Sequence, residues 1–169
     1  MKVFGIVGPS GSGKTTLVEG VLPILRARGW VVSTMKHTHK GFDMDRPGKD
    51  SHRHRAAGSH EVMVVGPQGW AMLHDYPNAQ ETPVDALIDR MAPVDLLLIE
   101  GFKAHSHPKI EVHRPAHGKP RVMDTAENLV AVASDVTLEG SPFPVLDLDD
   151  WEAVADFILN HAGLQRAAQ

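Results

Sequence analysis

The chain contains no cysteine. That absence excludes a disulfide framework, a thiolate metal site and a cysteine nucleophile, and it is compatible with a reducing compartment. Long apolar runs are missing as well: stretches such as Leu96 to Ile99 and Leu129 to Ala133 are far too short to span a bilayer. Met1-Lys2 leads straight into a predicted strand rather than a signal peptide, so a soluble cytoplasmic protein with no membrane partner is expected. Nor is there an excess of positive charge. Lys and Arg number 17 against 21 Asp and Glu, for a net charge of -4, which argues against a general nucleic-acid binder. The 36 to 55 stretch is locally basic and histidine-rich, a balance that suits a phosphate-bearing ligand equally well. No internal repeat or convincing linker divides the 169 residues, and one domain over 1–169 is expected. A chain of this size buries roughly two thirds of its unfolded surface without a disulfide or a structural metal.

What the chain does have is GPSGSGKTT at residues 8 to 16, directly behind the apolar run Val3 to Val7. Gly8, Gly13, Lys14 and Thr15 meet the pattern G-x-x-x-x-G-K-[ST], the P-loop that wraps phosphates in backbone N–H groups. Gly8, Gly11 and Gly13 permit positive φ and close backbone approach, so successive N–H groups converge on phosphate oxygens. Lys14 then reaches the β and γ phosphates, and Thr15 offers a hydroxyl to Mg²⁺. A helix starting near Lys14 aims the positive end of its dipole at the same anion. The order strand, loop, helix is the one this chemistry needs, and it disfavours a plain Gly/Ser turn with a solvated lysine.

Phe4 to Val7 reads as a buried strand, followed by a helix over Thr16 to Arg28 with Leu17, Val18, Val21, Leu22 and Leu25 on one face. Gly29 closes that helix, and Pro23 within it predicts a kink. Trp30 to Met35 is a second strand, and a short helix is expected through the HRHRAAG segment, capped by Asp50 or Ser51. Glu61 to Val65 and Gly69 to His74 fit a hairpin. Thr82 caps a predicted helix carrying Val84, Leu87, Ile88 and Met91, and DLLLIEG after Pro93 is a buried strand. Lys109 to His113 alternates like an edge strand. Asn128 to Ala133 and Pro144 to Leu148 are further strands, and Trp151 to His161 closes the chain as an amphipathic helix. The fold class expected is α/β: a P-loop NTPase three-layer sandwich, its sheet mostly parallel with helices on both faces, extended by an antiparallel hairpin. Ligands of such sheets lie outside the carboxyl ends of the strands.

That rule sorts the remaining polar residues. Asp95 and Glu100 flank one strand about 16 Å apart at about 3.3 Å per residue, and only Glu100 lies at the P-loop's end. Glu100 is therefore the acid expected to hold Mg²⁺ or orient its water, and Asp95 is expected to serve structure. The loop after the second strand reaches the same edge, which makes Lys36, His37, Asp43, Asp45, Lys49 and Asp50 candidates for the phosphates or the metal, set against the ordinary reading of a mobile surface loop. Histidine recurs as H-x-H at His37/His39, His52/His54 and His105/His107. In extended chain such a pair shares a face and can grip a metal, whereas on a helix it diverges. Phosphate contacts or solvated side chains fit these pairs better.

GPSGSGKTTL, KHTHKGFDMDRPGKDSHRHRAAG, DLLLIEGFK at 95 to 103, PKIEV at 108 to 112 and LVAVASD at 129 to 135 together resemble the MobB family of molybdopterin-guanine dinucleotide biosynthesis adapters. The resemblance runs over most of the chain. It implies a dimeric GTP-binding protein of slow intrinsic hydrolysis, at most a weak GTPase, that assists the guanylyltransferase joining GMP to molybdopterin in molybdenum cofactor maturation. By position it implies that Ser10, Gly11, Ser12, Gly13, Lys14, Thr15 and Thr16 hold the phosphates, with Lys14 and Glu100 the groups nearest the chemistry. It gives Thr15, Glu100 and Asp45 to Mg²⁺, and Asp135 to the guanine N1 and N2 groups. Two departures stand beside it. No N/T-K-x-D guanine signature is visible, and the second P-loop lysine of related dimeric NTPases, which would stand at Pro9 or Ser10, is absent. The alternatives are a P-loop small-molecule kinase, with Asp43 or Asp45 accepting a proton from an acceptor hydroxyl, and a metal-delivery GTPase using the H-x-H pairs.

Overall fold

The computed structural model describes the chain except residues 39, 40, 43, 77–80, 124 and 166–169, so the candidates His39 and Asp43 lie outside the described residues. The elements run β1 (Lys2–Val7), α1 (Lys14–Ala27), β2 (Val32–Lys36), α2 (Asp50–Ala56), β3 (Glu61–Gly66), β4 (Gly69–His74), α3 (Val84–Asp89), β5 (Leu96–Glu100), β6 (Lys109–His113), β7 (Leu129–Ser134), β8 (Val145–Asp147) and α4 (Trp151–Ala162). They group into two compact units: residues 1–37 with 90–169, and residues 38–89. The second unit is inserted between β2 and β5.

The first unit is built on a six-stranded sheet in the order β2-β5-β1-β6-β7-β8, every neighbouring pair parallel. All strands therefore deliver their carboxyl ends to one edge. Phe4, Ile6, Leu96, Leu98, Ile110, Val112, Ala131 and Ala133 face the buried sides of α1 and α4 in one apolar core. Leu17, Val21 and Leu25 of α1 and Val154, Ala155, Ile158 and Leu159 of α4 supply the helical half, at the i, i+3, i+4 spacing that puts them on one stripe. The two helices touch where Gly20 meets Trp151: a Cβ built on Gly20 would lie against the indole ring, 2.5 Å from Cε2. Arg28, just past α1, is ion-paired with Glu152 and Asp156 of α4. α1 continues through Pro23 to Ala27, and α4 is capped by Asp150, whose carboxylate accepts from the Ala153 N–H at 3.0 Å.

One expectation changes. Lys109 to His113 is an internal strand rather than an edge, hydrogen-bonded to β1 on one side and β7 on the other, with all five residues buried. Its polar alternation has a different cause from solvent. Lys109 and Glu111 are fully buried on the face opposite the helices, and residues of the connections before and after β6 satisfy them there. Lys109 Nζ donates to the carbonyls of His105 at 2.5 Å, His107 at 2.6 Å and Glu127 at 2.5 Å. Glu111 accepts from Arg121 Nε and Nη2, both at 3.1 Å, and from the Val122 N–H at 2.6 Å. Both long helices, α1 and α4, pack on the side of this sheet that carries Phe4 and Ile6, and the loop carrying His107 lies against β1 on the other. Gly5 in β1 permits that cover, because a Cβ there would meet His107 Nε2 at 2.6 Å.

The second unit contains the expected hairpin, β3 and β4 paired antiparallel from Glu61↔His74 to Gly66↔Gly69. Its apolar side chains are largely outward, with Val65 73% and Trp70 66% exposed. α3 is shorter than its sequence pattern, ending at Asp89 before Met91. No helix among the described residues is long and apolar enough to cross a membrane.

Candidate functional site

The loop between β1 and α1 turns on glycine. Gly8, Gly11 and Gly13 have φ of 147°, 81° and 102°, values an L side chain rarely adopts. Gly8 is also hemmed in sterically, since a Cβ would run into the Val112 carbonyl and lie 2.9 Å from Ser12 Oγ. Gly13 occupies the N-cap of α1, and no side chain among the described residues caps that terminus. The first-turn N–H groups and the positive end of the helix dipole are thus left for an anion from outside the chain. Ser12 Oγ is buried beside them without a hydrogen-bond partner among the described residues. A phosphate fits this cradle, which has the N–H donors and the sign of charge it needs.

Lys14 folds back over the loop, donating to the carbonyls of Gly8 at 3.0 Å and Pro9 at 2.9 Å. Burial holds its pKa below the ordinary 10.5; Glu100 opposes that shift, and the nearby Lys36 and Lys119 ammonium groups reinforce it. An arriving polyanion would reverse the balance. Thr15 Oγ1 donates to Glu100 Oε2 at 3.0 Å, which joins the first turn of α1 to the carboxyl end of β5. Lys36, at the end of β2, places its ammonium 3.2 Å from Thr15 Oγ1 and 3.3 Å from Glu100 Oε1. That ammonium occupies the cation position between a hydroxyl and a carboxylate. The same oxygen pair suits a hard divalent ion such as Mg²⁺.

Three basic groups come from the segment behind β6, and sequence reasoning did not foresee them. Lys119 Nζ donates to the Ser10 carbonyl at 2.5 Å, and it lies 3.9 Å from the Cβ position of Gly11, with His117 Nδ1 at 4.0 Å. Arg114 Nε lies 3.5 Å from the Cβ position of Gly13. The signal was present as RPAHGK after KIEVH, but an edge position for that strand removes its trailing loop from the P-loop's neighbourhood.

The other candidates divide. Asp135, just beyond β7, stands at the carboxyl edge as expected, yet its carboxylate accepts from Arg114 Nη1 at 2.9 Å. Asp95 serves structure, accepting the Val31 N–H at 2.8 Å. His37 stacks on Phe102 with ring centroids 4.2 Å apart. Asp45, Lys49 and Asp50 belong to the second unit. There Asp45 Oδ1 accepts from Ser51 Oγ at 2.7 Å, with Arg55 Nη1 3.7 Å from its other oxygen. Of the H-x-H pairs, His52 and His54 lie on α2, where they diverge, and His105 and His107 hold their Nδ1 atoms 2.6 Å apart.

A parallel sheet with a glycine-turned loop between β1 and α1, a lysine at its rim and a Thr–Glu pair across to β5 defines the P-loop NTPase fold. The chain belongs to the family of molybdopterin guanine dinucleotide synthesis protein B, MobB, whose profile matches residues 3–135. It is 40% identical over 153 residues to the molybdopterin-guanine dinucleotide biosynthesis adapter protein of Escherichia coli K12, covering 89% of this chain and 87% of that one. The protein of the same name from Haemophilus influenzae is 40% identical over 164 residues, covering 94% and 88%. Among solved structures, the MobB homolog from Bacillus stearothermophilus superposes with a TM-score of 0.72 at 26% identity, covering 98% of this chain and all of that one.

Proposed function

We propose that this protein binds GTP with Mg²⁺ at the P-loop and acts as a homodimeric cytoplasmic adapter for the guanylyltransferase that joins GMP to molybdopterin. The observation that carries the nucleotide reading is the Thr15–Glu100 pair at 3.0 Å, set at the mouth of an uncapped glycine loop beside Lys14, Lys36 and Lys119. Ser10 to Thr16 hold the phosphates, and Thr15 and Glu100 provide the oxygen donors for the metal. When bound, Mg²⁺ neutralises phosphate charge and fixes the triphosphate's orientation. Asp45, engaged with Ser51 and Arg55, keeps a role within its own unit. Guanine preference, assigned to Asp135, requires that carboxylate to share its charge between Arg114 and the base.

The adapter role rests on family membership and on relatives that carry that name. Slow turnover agrees with the P-loop itself, which has no lysine at Pro9 or Ser10. Lys119 reaches Ser10 from outside the loop, but it is tied to a carbonyl. For the dimer, the support is the hairpin: outward apolar side chains on a two-stranded sheet form a patch that soluble monomers rarely leave uncovered.

The test is reconstitution of the purified chain with guanylyltransferase, molybdopterin and GTP. A raised yield of the dinucleotide, lost with Lys14→Ala, is the expected result. A yield indifferent to the added chain would overturn the adapter role.

A further inference from the structure

At the open end of the hairpin, three side chains converge that no part of the nucleotide site uses. Glu61 opens β3 and His74 closes β4, and the ladder pairs them directly. Their side chains share one side of the sheet, with His74 Nδ1 and Glu61 Oε1 2.9 Å apart. His60, one residue ahead of β3, brings its ring edge-on to that of His74, with centroids 5.2 Å apart. One ligand atom from each of His60, Glu61 and His74 can be chosen so that all three lie within 4.8 Å of one another.

We propose that His60, Glu61 and His74 form a binding site for one divalent d-block cation of the zinc class. The donor set is two imidazole nitrogens and one carboxylate oxygen, which suits Zn²⁺ and its neighbours and disfavours Mg²⁺ or Ca²⁺, ions that take all-oxygen shells. Donors about 2.0–2.1 Å from a tetrahedral ion stand roughly 3.4 Å from each other, a spacing within reach by side-chain rotation from the separations seen. The pairing of Glu61 with His74 sets two ligands side by side on neighbouring strands. His60 completes a three-ligand face, and the fourth position is open to water or to a ligand from outside. A bound ion would lock the register of β3 against β4 at the end away from the turn, where a two-stranded ribbon is otherwise marginal. The H-x-H pairs that drew attention in the sequence are not part of it; this site joins Glu61 and His74, thirteen residues apart, through the hairpin's register.

The experiment is equilibrium dialysis of the full-length chain against Zn²⁺, with Co²⁺ as a spectroscopic substitute. Expected are one ion per chain and visible ligand-field bands of four-coordinate Co²⁺. Both should be weakened more than about tenfold by His60→Ala and by His74→Ala, and both retained by the paired control His52→Ala with His54→Ala. His60 lies outside the ladder, so its variant keeps the test valid if His74→Ala disturbs the hairpin. Absence of stoichiometric binding, or binding that survives both single substitutions, would overturn the site. GTP affinity is unchanged by these variants, which separates failure here from failure of the nucleotide reading.

Discussion

Lys119 hydrogen-bonds the carbonyl of Ser10 at 2.5 Å, so a cation from the loop behind β6 is fastened to the rim of the phosphate loop behind β1. The two strands are neighbours in the sheet, and parallel pairing brings their trailing loops to the same edge. Lys119→Ala is expected to weaken GTP binding roughly tenfold with an unchanged melting temperature, about the effect of one charge-assisted phosphate contact. The loss should shrink as salt is raised, because the cation is near the surface. Calorimetric titration at two ionic strengths checks this, and equal affinity for the variant would remove Lys119 from the site.

Lys36 competes for the position between Thr15 and Glu100. Replacing it with methionine takes away a positive charge at the place proposed for Mg²⁺. The expected outcome is a lower Mg²⁺ concentration at half-saturation in the presence of GTP. If Lys36 instead moves onto the phosphates, the same variant lowers GTP affinity and leaves the Mg²⁺ midpoint unmoved.

Gly20 allows α1 and α4 to approach, since any side chain there collides with Trp151. Gly20→Ala therefore costs about 1–3 kcal/mol through overpacking, a fall of several degrees in melting temperature for a chain of this length. Combining it with Trp151→Leu should cost less than the sum of the two changes. Additive losses in thermal unfolding would place the ring elsewhere.

Lys109 is fully buried, with the carbonyls of His105, His107 and Glu127 as partners. Lys109→Met strands those acceptors and is expected to destabilise by about 2–4 kcal/mol. Burial pushes the Lys109 pKa down to about 8 from 10.5, with Glu127 opposing. Because the folded value is the lower one, the unfolded chain binds the extra proton between those limits. The stabilising contribution of this titration is complete above pH 10.5 and is lost as pH falls through about 8. Denaturant melts of wild type and variant across that window measure it; a difference independent of pH would contradict the shift.

The phosphate loop, the Glu100 strand end, the hairpin and both long helices were legible in the sequence because each rests on local chemistry: glycines where φ is positive, apolar residues at period 3.6, a two-residue turn. β6 was not. KIEVH has the alternation of a half-exposed strand, and only tertiary structure reveals that Lys109 and Glu111 answer to backbone carbonyls and Arg121 rather than to water. The same misreading hid Arg114 and Lys119, because their proximity to the P-loop follows from strand order. The Arg114–Asp135 pairing is also non-local, joining the ends of β6 and β7.

The central claim is that GTP with Mg²⁺ sits on the glycine loop against Lys14, Thr15 and Glu100. Titrating GTP and ATP into wild type, Lys14→Ala and Glu100→Gln by calorimetry, with and without Mg²⁺, while following phosphate release, tests it most directly. The expected result is Mg²⁺-dependent binding that prefers GTP, collapses in Lys14→Ala, loses its Mg²⁺ dependence in Glu100→Gln and releases phosphate slowly. Affinity unchanged by Lys14→Ala, or a preference for ATP with rapid release, would contradict it.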